Sequence, residues 1–76
     1  MNRLRKFVEL SPNGDRSGLV AYAFGPTNLP EATPGFTWQA IPSFNASDEL
    51  IEDPRLKAVF RDAITNGCAT ITEARG

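Results

Sequence analysis

The sequence contains no histidine and a single cysteine, Cys68, among its 76 residues. A lone cysteine cannot form an intramolecular disulfide, and one thiol without histidine cannot supply the four ligands of a usual zinc site. Histidine is also the side chain most often used for acid–base catalysis near neutral pH. These absences predict a protein with no structural metal, no cofactor and no catalytic activity.

Long apolar runs are missing as well. The basic start is followed by only four residues, 7–10, before turn formers begin, which is too short for the core of a signal peptide. No run approaches the ~20 apolar residues that a membrane-spanning helix needs. Nine acidic residues nearly balance eight basic ones, so the net charge of −1 gives no general attraction to nucleic acid or to anionic membranes. The sequence therefore predicts a soluble, cytoplasmic protein, of a cell or of an infected host, with no membrane partner.

The patterns that are present predict one α+β domain over residues 1–76. Alternating apolar residues indicate strands at 4–10 and 36–41, and an apolar run indicates another at 19–24. The turn formers of 11–18 join the first two strands into a hairpin. A run of small and β-branched residues at 68–72 indicates a fourth strand. The expected order is β-β-β-α-β, a small antiparallel or mixed four-stranded sheet with one main helix packed on one face.

The main helix is predicted from Pro54 to Asn66. Asp53 is a good N-cap, Pro54 fits the first helical position, and Gly67 suits the C-terminal stop. Residues 47–52 can add a short helical turn before it. Apolar residues at helical spacing form one stripe that predicts the buried face. They are Leu56, Val59, Phe60, Ala63 and Ile64.

Two groups that could carry chemistry have simpler explanations. Cys68 follows a helix C-terminus, where the helix dipole disfavours a thiolate, so we expect a structural cysteine. The densest acidic cluster matches no cation-binding loop and suits a helix N-terminus, where negative charge is favoured. This cluster consists of Asp48, Glu49, Glu52 and Asp53.

The apolar residues on one face of the predicted sheet have no obvious element of the chain to bury them. A helix of about a dozen residues covers only one face of a four-stranded sheet, yet both faces of the predicted second and third strands are apolar. The stretch 25–35, with prolines at every fourth position, is predicted to be a surface loop. Either this loop folds over the second face or another molecule does, and the sequence leaves both open.

Interface candidates follow from this second face. Tryptophan is enriched among interface anchors, and prolines keep a recognition loop preorganised. The predicted partner-binding residues are Trp38, Leu29, Pro30, Pro34, Tyr22 and Phe24. For Trp38 the alternative is a place in the core.

Three functions are compatible with these features. The first is a small non-enzymatic protein-binding module, a regulator, adaptor or inhibitor of a larger macromolecular machine, of a kind typical of phages and mobile elements. The second is a nucleic-acid-binding accessory protein that contacts phosphates through Arg3, Arg5 and Lys6, with Tyr22 and Phe24 stacking on bases. The third is a structural subunit, as a homodimer or larger assembly, in which strand edges meet identical copies. The first is favoured because so short a chain, with neither disulfide nor metal, gains stability from a partner.

Overall fold

A computed structural model describes residues 3–72, which form one antiparallel sheet with two helices. The strands are β1 (Arg5–Leu10), β2 (Arg16–Ala23), β3 (Thr37–Ala40) and β4 (Cys68–Thr72), in the spatial order β3-β1-β2-β4. The helices are α1 (Ala46–Glu52) and α2 (Leu56–Asn66), and both lie between β3 and β4 in the chain. The predicted α+β fold, with a four-stranded sheet and one main helix, is confirmed.

The predicted hairpin joins β1 to β2. The N–H of Ser11 donates to the carbonyl oxygen of Asp15 at 2.9 Å, and the N–H of Gly14 donates to that of Ser11 at 2.8 Å. Gly14 has a φ of 87°, which glycine adopts without the steric cost that other residues meet. In the hairpin Phe7 lies opposite Ala21 and Val8 lies opposite Val20, so the two strands direct matching residues to the same face of the sheet.

Helix α2 begins at Leu56, two residues later than predicted. The N–H of Leu56 donates to the carbonyl oxygen of Asp53 at 3.0 Å, which is the three-residue spacing of a tight turn. Asp53 also ends α1, because its own N–H donates to the carbonyl oxygen of Glu49 at 2.8 Å. Its carboxylate accepts a hydrogen bond from the N–H of Arg55 at 3.1 Å. Asp53 thus caps a turn between two helices, and the short helical turn predicted before it is a full helix, α1.

Helix α2 ends at the predicted residue but packs through a narrower stripe. Gly67 takes a φ of 87°, and its N–H donates to the carbonyl oxygen of Ala63. Leu56, Phe60 and Ala63 are buried, whereas Ile64 is 64% exposed. The prediction of Ile64 as a core residue is wrong, because one position past Ala63 lies about 100° around the helix, at the flank.

The larger core lies between the sheet and the helices. Its buried residues are Val8, Val20, Tyr22, Leu56, Phe60 and Ala63. The ring of Tyr22 meets that of Phe60 edge-on at a centroid distance of 4.8 Å, and Phe44 stands nearly perpendicular to Phe60 at 6.0 Å. Such edge contacts between rings are favourable.

A smaller core lies on the opposite face of the sheet. Phe7, Ala21 and Ala23 are buried there, and Leu29, Trp38 and Cys68 pack against them. Leu29 comes from the proline-rich loop, which opens with a short 3₁₀-helix at Pro26–Asn28. Of the two possibilities that the sequence left open, the loop covers this face.

Candidate functional site

An open groove lies at the end of the sheet where β1 begins and where β2 and β3 end. Antiparallel pairing brings these ends together, since Arg5 pairs with Ala23 and Phe7 pairs with Ala40. The groove has a volume of about 440 Å³, and apart from two arginines the residues that line it have apolar side chains. It is formed by Arg3, Leu4, Arg5, Phe24, Ala40, Ile41, Pro42 and Phe44.

The floor of this groove is held in place by the fold. The N–H of Ile41 donates to the carbonyl oxygen of Lys6 at 2.9 Å, which fixes the end of β3 against the start of β1. The N–H of Phe44 donates to the carbonyl oxygen of Ile41 at 3.2 Å, and the ring of Phe44 packs on Tyr22 and Phe60. The groove is therefore preformed, as binding sites commonly are.

The charge of the groove comes from Arg3 and Arg5. Both are exposed, and within residues 3–72 neither forms an ion pair. No acidic residue among residues 3–72 lines the groove. Two positive charges thus stand beside an apolar surface without a counter-charge from the described part of the chain.

Lys6, which the sequence grouped with these arginines, lies on the other face of β1. Its Nζ forms an ion pair with Oε1 of Glu49 at 3.1 Å, and only 16% of its side chain is exposed. Successive residues of a strand point to opposite faces, so Lys6 is directed toward α1 while Arg5 is directed away from it. This ion pair holds α1 against the sheet. Of the three basic residues predicted to act together, Arg3 and Arg5 line the groove and Lys6 does not.

Among the predicted interface residues, Phe24 is the one that the structure brings to Arg3 and Arg5. It is half-buried and lines the groove. Tyr22 is 2% exposed and belongs to the core under α2. Its predicted role in contacting a partner or stacking on a base is corrected here, because its ring is enclosed by Phe44 and Phe60.

The other predicted interface residues lie on the loop-covered face. Trp38 is half-buried, and its Nε1 donates a hydrogen bond to the carbonyl oxygen of Pro30 at 2.8 Å. Leu29 packs into the smaller core, and Pro30 and Pro34 are exposed on the loop. Trp38 and Leu29 therefore hold the loop to the sheet.

Strand β3 forms an edge of the sheet beside the groove. The bond from Ile41 to Lys6 marks these two as a hydrogen-bonded pair. Hydrogen-bonded and non-hydrogen-bonded pairs alternate along an antiparallel ladder. The backbone N–H and C=O groups of Trp38 and Ala40 therefore face away from β1, on the free edge.

Glu9 is a buried acid that the sequence analysis did not single out. It is 1% exposed and lies on the loop-covered face of β1, opposite Trp38. Its carboxylate accepts hydrogen bonds from the hydroxyl of Ser17 at 2.7 Å, from the N–H of Thr33 at 2.7 Å and from the hydroxyl of Thr33 at 3.1 Å. Glu9 thus fastens both the hairpin and the proline-rich loop.

These hydrogen bonds outweigh the effect of burial on Glu9. Removal from water raises the pKa of a carboxyl group, but the bonds from the backbone of Thr33, from Ser17 and from the Thr33 side chain favour the charged form. The net result is a pKa of Glu9 below its ordinary value of 4.5. Glu9 is an ionised structural residue at neutral pH.

The remaining reactive side chains are dispersed. Burial raises the pKa of the Cys68 thiol, which disfavours the reactive thiolate. In the acidic cluster, Glu49 pairs with Lys6, and the hydrogen bond from the Arg55 side chain at 2.9 Å holds the pKa of Asp53 below its usual range. Over residues 3–72, no three Cys, Asp or Glu side chains come together as a metal ion would require.

Two large apolar side chains are exposed on the helices. Ile51 of α1 is 80% exposed, and Ile64 of α2 is 64% exposed. A depression of about 310 Å³ next to Ile64 is also bordered by Lys57 and Arg61. Scattered exposed apolar residues are normal on small proteins, so this surface is a weaker candidate than the groove.

Neither helix in the described part of the chain has the length and apolar composition needed to cross a membrane. Comparisons with known protein families, with curated proteins and with solved structures find no match to this chain.

Proposed function

We propose that the chain is a small protein-binding module that acts in the cytoplasm by docking, as a regulator, adaptor or inhibitor of a larger macromolecule. One observation carries the proposal: Arg3 and Arg5, without ion pairs to residues 3–72, border a preformed apolar groove. Apolar surface supplies affinity on burial, and arginines at its rim supply specificity. Phe24 and Phe44 are the aromatic side chains that a partner would contact.

Binding is favoured over catalysis by the state of the reactive groups. The chain has no histidine, and burial of Cys68 works against a thiolate. Glu9 and Asp53 are ionised and engaged in structural hydrogen bonds. A general acid or base works best with a pKa near the working pH, whereas both of these pKa values are lowered.

Single-stranded nucleic acid is the second candidate for the same groove. Arg3 and Arg5 could meet phosphates while Phe24 offers a ring for stacking. The overall charge argues against it, because a net charge of −1 and a pI near 5.2 give no long-range attraction to a polyanion. The free edge of β3 also favours protein, since a peptide backbone can pair with it.

Affinity capture from a nuclease-treated lysate of the source cells tests the proposal. We expect the tagged protein to retain a stoichiometric protein partner, identified by mass spectrometry. The double variant Arg3→Glu/Arg5→Glu should lose that partner, because reversal of both charges replaces attraction with repulsion. Circular dichroism of the variant should match that of the original chain, since both arginines are exposed.

Arg61→Glu is the matched control, because Arg61 is exposed on α2, away from the groove. This variant should retain the partner. Equal capture by all three proteins would show that the groove is not the docking site. Recovery of nucleic acid alone, from a lysate without nuclease, would support the second candidate, and recovery of only further copies of the chain would support a homo-oligomeric subunit.

A further inference from the structure

We infer that the groove and the free edge of β3 form one continuous site for an extended acidic segment of a partner protein, which adds to the sheet as a fifth strand and sets a carboxylate against Arg3 and Arg5. This inference rests on the proposed function and names the chemistry of the partner. Its basis is the junction of three features at one end of β3: a free backbone edge, an apolar groove and two arginines.

Within the described residues, no strand pairs with the outer edge of β3. Trp38 and Ala40 direct their N–H and C=O groups away from β1, as the alternation of the ladder requires. The carbonyl oxygen of Ala40 has only a long contact of 3.5 Å from the side-chain Nε2 of its neighbour Gln39. An incoming strand offers shorter backbone hydrogen bonds to the same groups.

The edge leads directly into the groove. Ala40 belongs to both, because its N–H and C=O face the edge and it is one of the residues that line the groove. Pro42, two residues later, has no N–H to donate, so strand pairing ends there. A segment that pairs along β3 would therefore pass from the edge onto the apolar floor formed by Ile41 and Phe44.

The charge of the site selects an acidic segment. A guanidinium matches a carboxylate through two parallel hydrogen bonds, and such charge-assisted bonds are stronger than neutral ones. Because none of the acidic residues within 3–72 lines the groove, none of them repels an incoming Asp or Glu there. A basic segment would be repelled by the positive charges of Arg3 and Arg5. A nucleic acid would satisfy the arginines but not the edge, because it has no peptide backbone.

Display of random linear peptides of about 12 residues provides the probe. The library is selected on the wild-type protein and counter-selected on Arg3→Glu/Arg5→Glu. We expect the enriched peptides to combine alternating β-branched residues, which favour strands, with one or more Asp or Glu residues. A synthetic copy should bind the double variant at least about tenfold more weakly, as measured by fluorescence polarisation.

Backbone methylation of that peptide tests strand addition on the unaltered protein. Every second N–H of a paired strand faces its neighbour, so N-methylation should weaken binding about tenfold at alternate positions and be tolerated between them. On the protein side, Ala40→Pro removes an outward N–H while the ladder to β1 stays intact, and it should weaken binding similarly. Ala40→Ser keeps that N–H and should bind normally.

Several results would overturn the inference. Enriched peptides without acidic residues, or a methylation profile without alternation, would show another mode of docking. If no peptide is enriched although a protein partner is captured through the groove, a folded surface rather than an extended segment is recognised. Enrichment from a single-stranded oligonucleotide library in place of peptides would favour nucleic acid. Failure of the proposed function gives a different result: in the affinity capture, no retained protein is lost when Arg3 and Arg5 are replaced.

Discussion

Phe60→Ala is expected to leave most of the protein unfolded under native conditions. Phe60 is buried at the centre of the larger core, in edge contact with the rings of Tyr22 and Phe44. Replacing a buried phenylalanine with alanine costs about 3–5 kcal/mol. The core of a domain this small rarely supplies more than about 3–5 kcal/mol in total, so the loss is comparable with the whole stability.

Urea unfolding followed by circular dichroism measures this effect. Ile64→Ala is the control, because it shortens an aliphatic side chain on the same helix that is 64% exposed. We expect its free energy of unfolding to stay within about 0.5 kcal/mol of the wild-type value. A large loss in Ile64→Ala together with a small loss in Phe60→Ala would mean that α2 packs through a different face.

Glu9→Ala is expected to lower the free energy of unfolding by about 2–3 kcal/mol. The substitution deprives the hydroxyl of Ser17 and both donors of Thr33 of their acceptor. Hydrogen bonds to a charged group contribute about 1.5–3 kcal/mol, and donors left unpaired add to the loss. The proline-rich loop should open as well, which amide hydrogen exchange of residues 30–36 would detect as faster exchange. Glu31→Ala, an exposed acid in the same loop, should change neither quantity.

The pH dependence of stability separates the contribution that the charge of Glu9 makes from the contribution that its shape makes. Because the pKa of Glu9 is lower in the folded protein than its ordinary value of 4.5, its charge stabilises the fold above that pH. This contribution is lost as the pH falls through the folded-state pKa. Glu9→Gln keeps the size but cannot ionise, so the stability difference between it and the wild type should shrink as the solution is acidified. A difference that stays constant with pH would assign the effect to shape alone.

The fold was predictable because its patterns are local. Alternating apolar residues mark the first and third strands, an apolar run marks the second, and small and β-branched residues mark the fourth. Gly67 ends α2 where the sequence places the stop. The start of α2 was missed because Asp53 and Pro54 suit a helix N-terminus and a tight inter-helix turn equally well. The exposure of Ile64 was missed because a stripe of apolar residues does not reveal how wide a surface the sheet presents.

The candidate site was predictable only in part. Arg3, Arg5 and Phe24 were recognised as candidates and were combined in the nucleic-acid hypothesis, but only the register of β1 with β2 shows that they line one groove without Lys6 and Tyr22. Tyr22 was misplaced because alternation shows that two faces exist without showing which one the helix covers. Phe44 and Glu9 were missed, since an isolated aromatic in a loop and an acid in a strand give no sequence signal of burial.

Photo-cross-linking tests the central claim, that the groove is where a protein partner docks. The variant Phe24→p-benzoylphenylalanine places a photoreactive ring in the groove, and Ile51→p-benzoylphenylalanine places one on the 80% exposed surface of α1. After irradiation in a nuclease-treated lysate of the source cells, we predict one covalent protein adduct from position 24 and none from position 51. An adduct from position 51 alone, or no protein adduct from position 24, would contradict the claim.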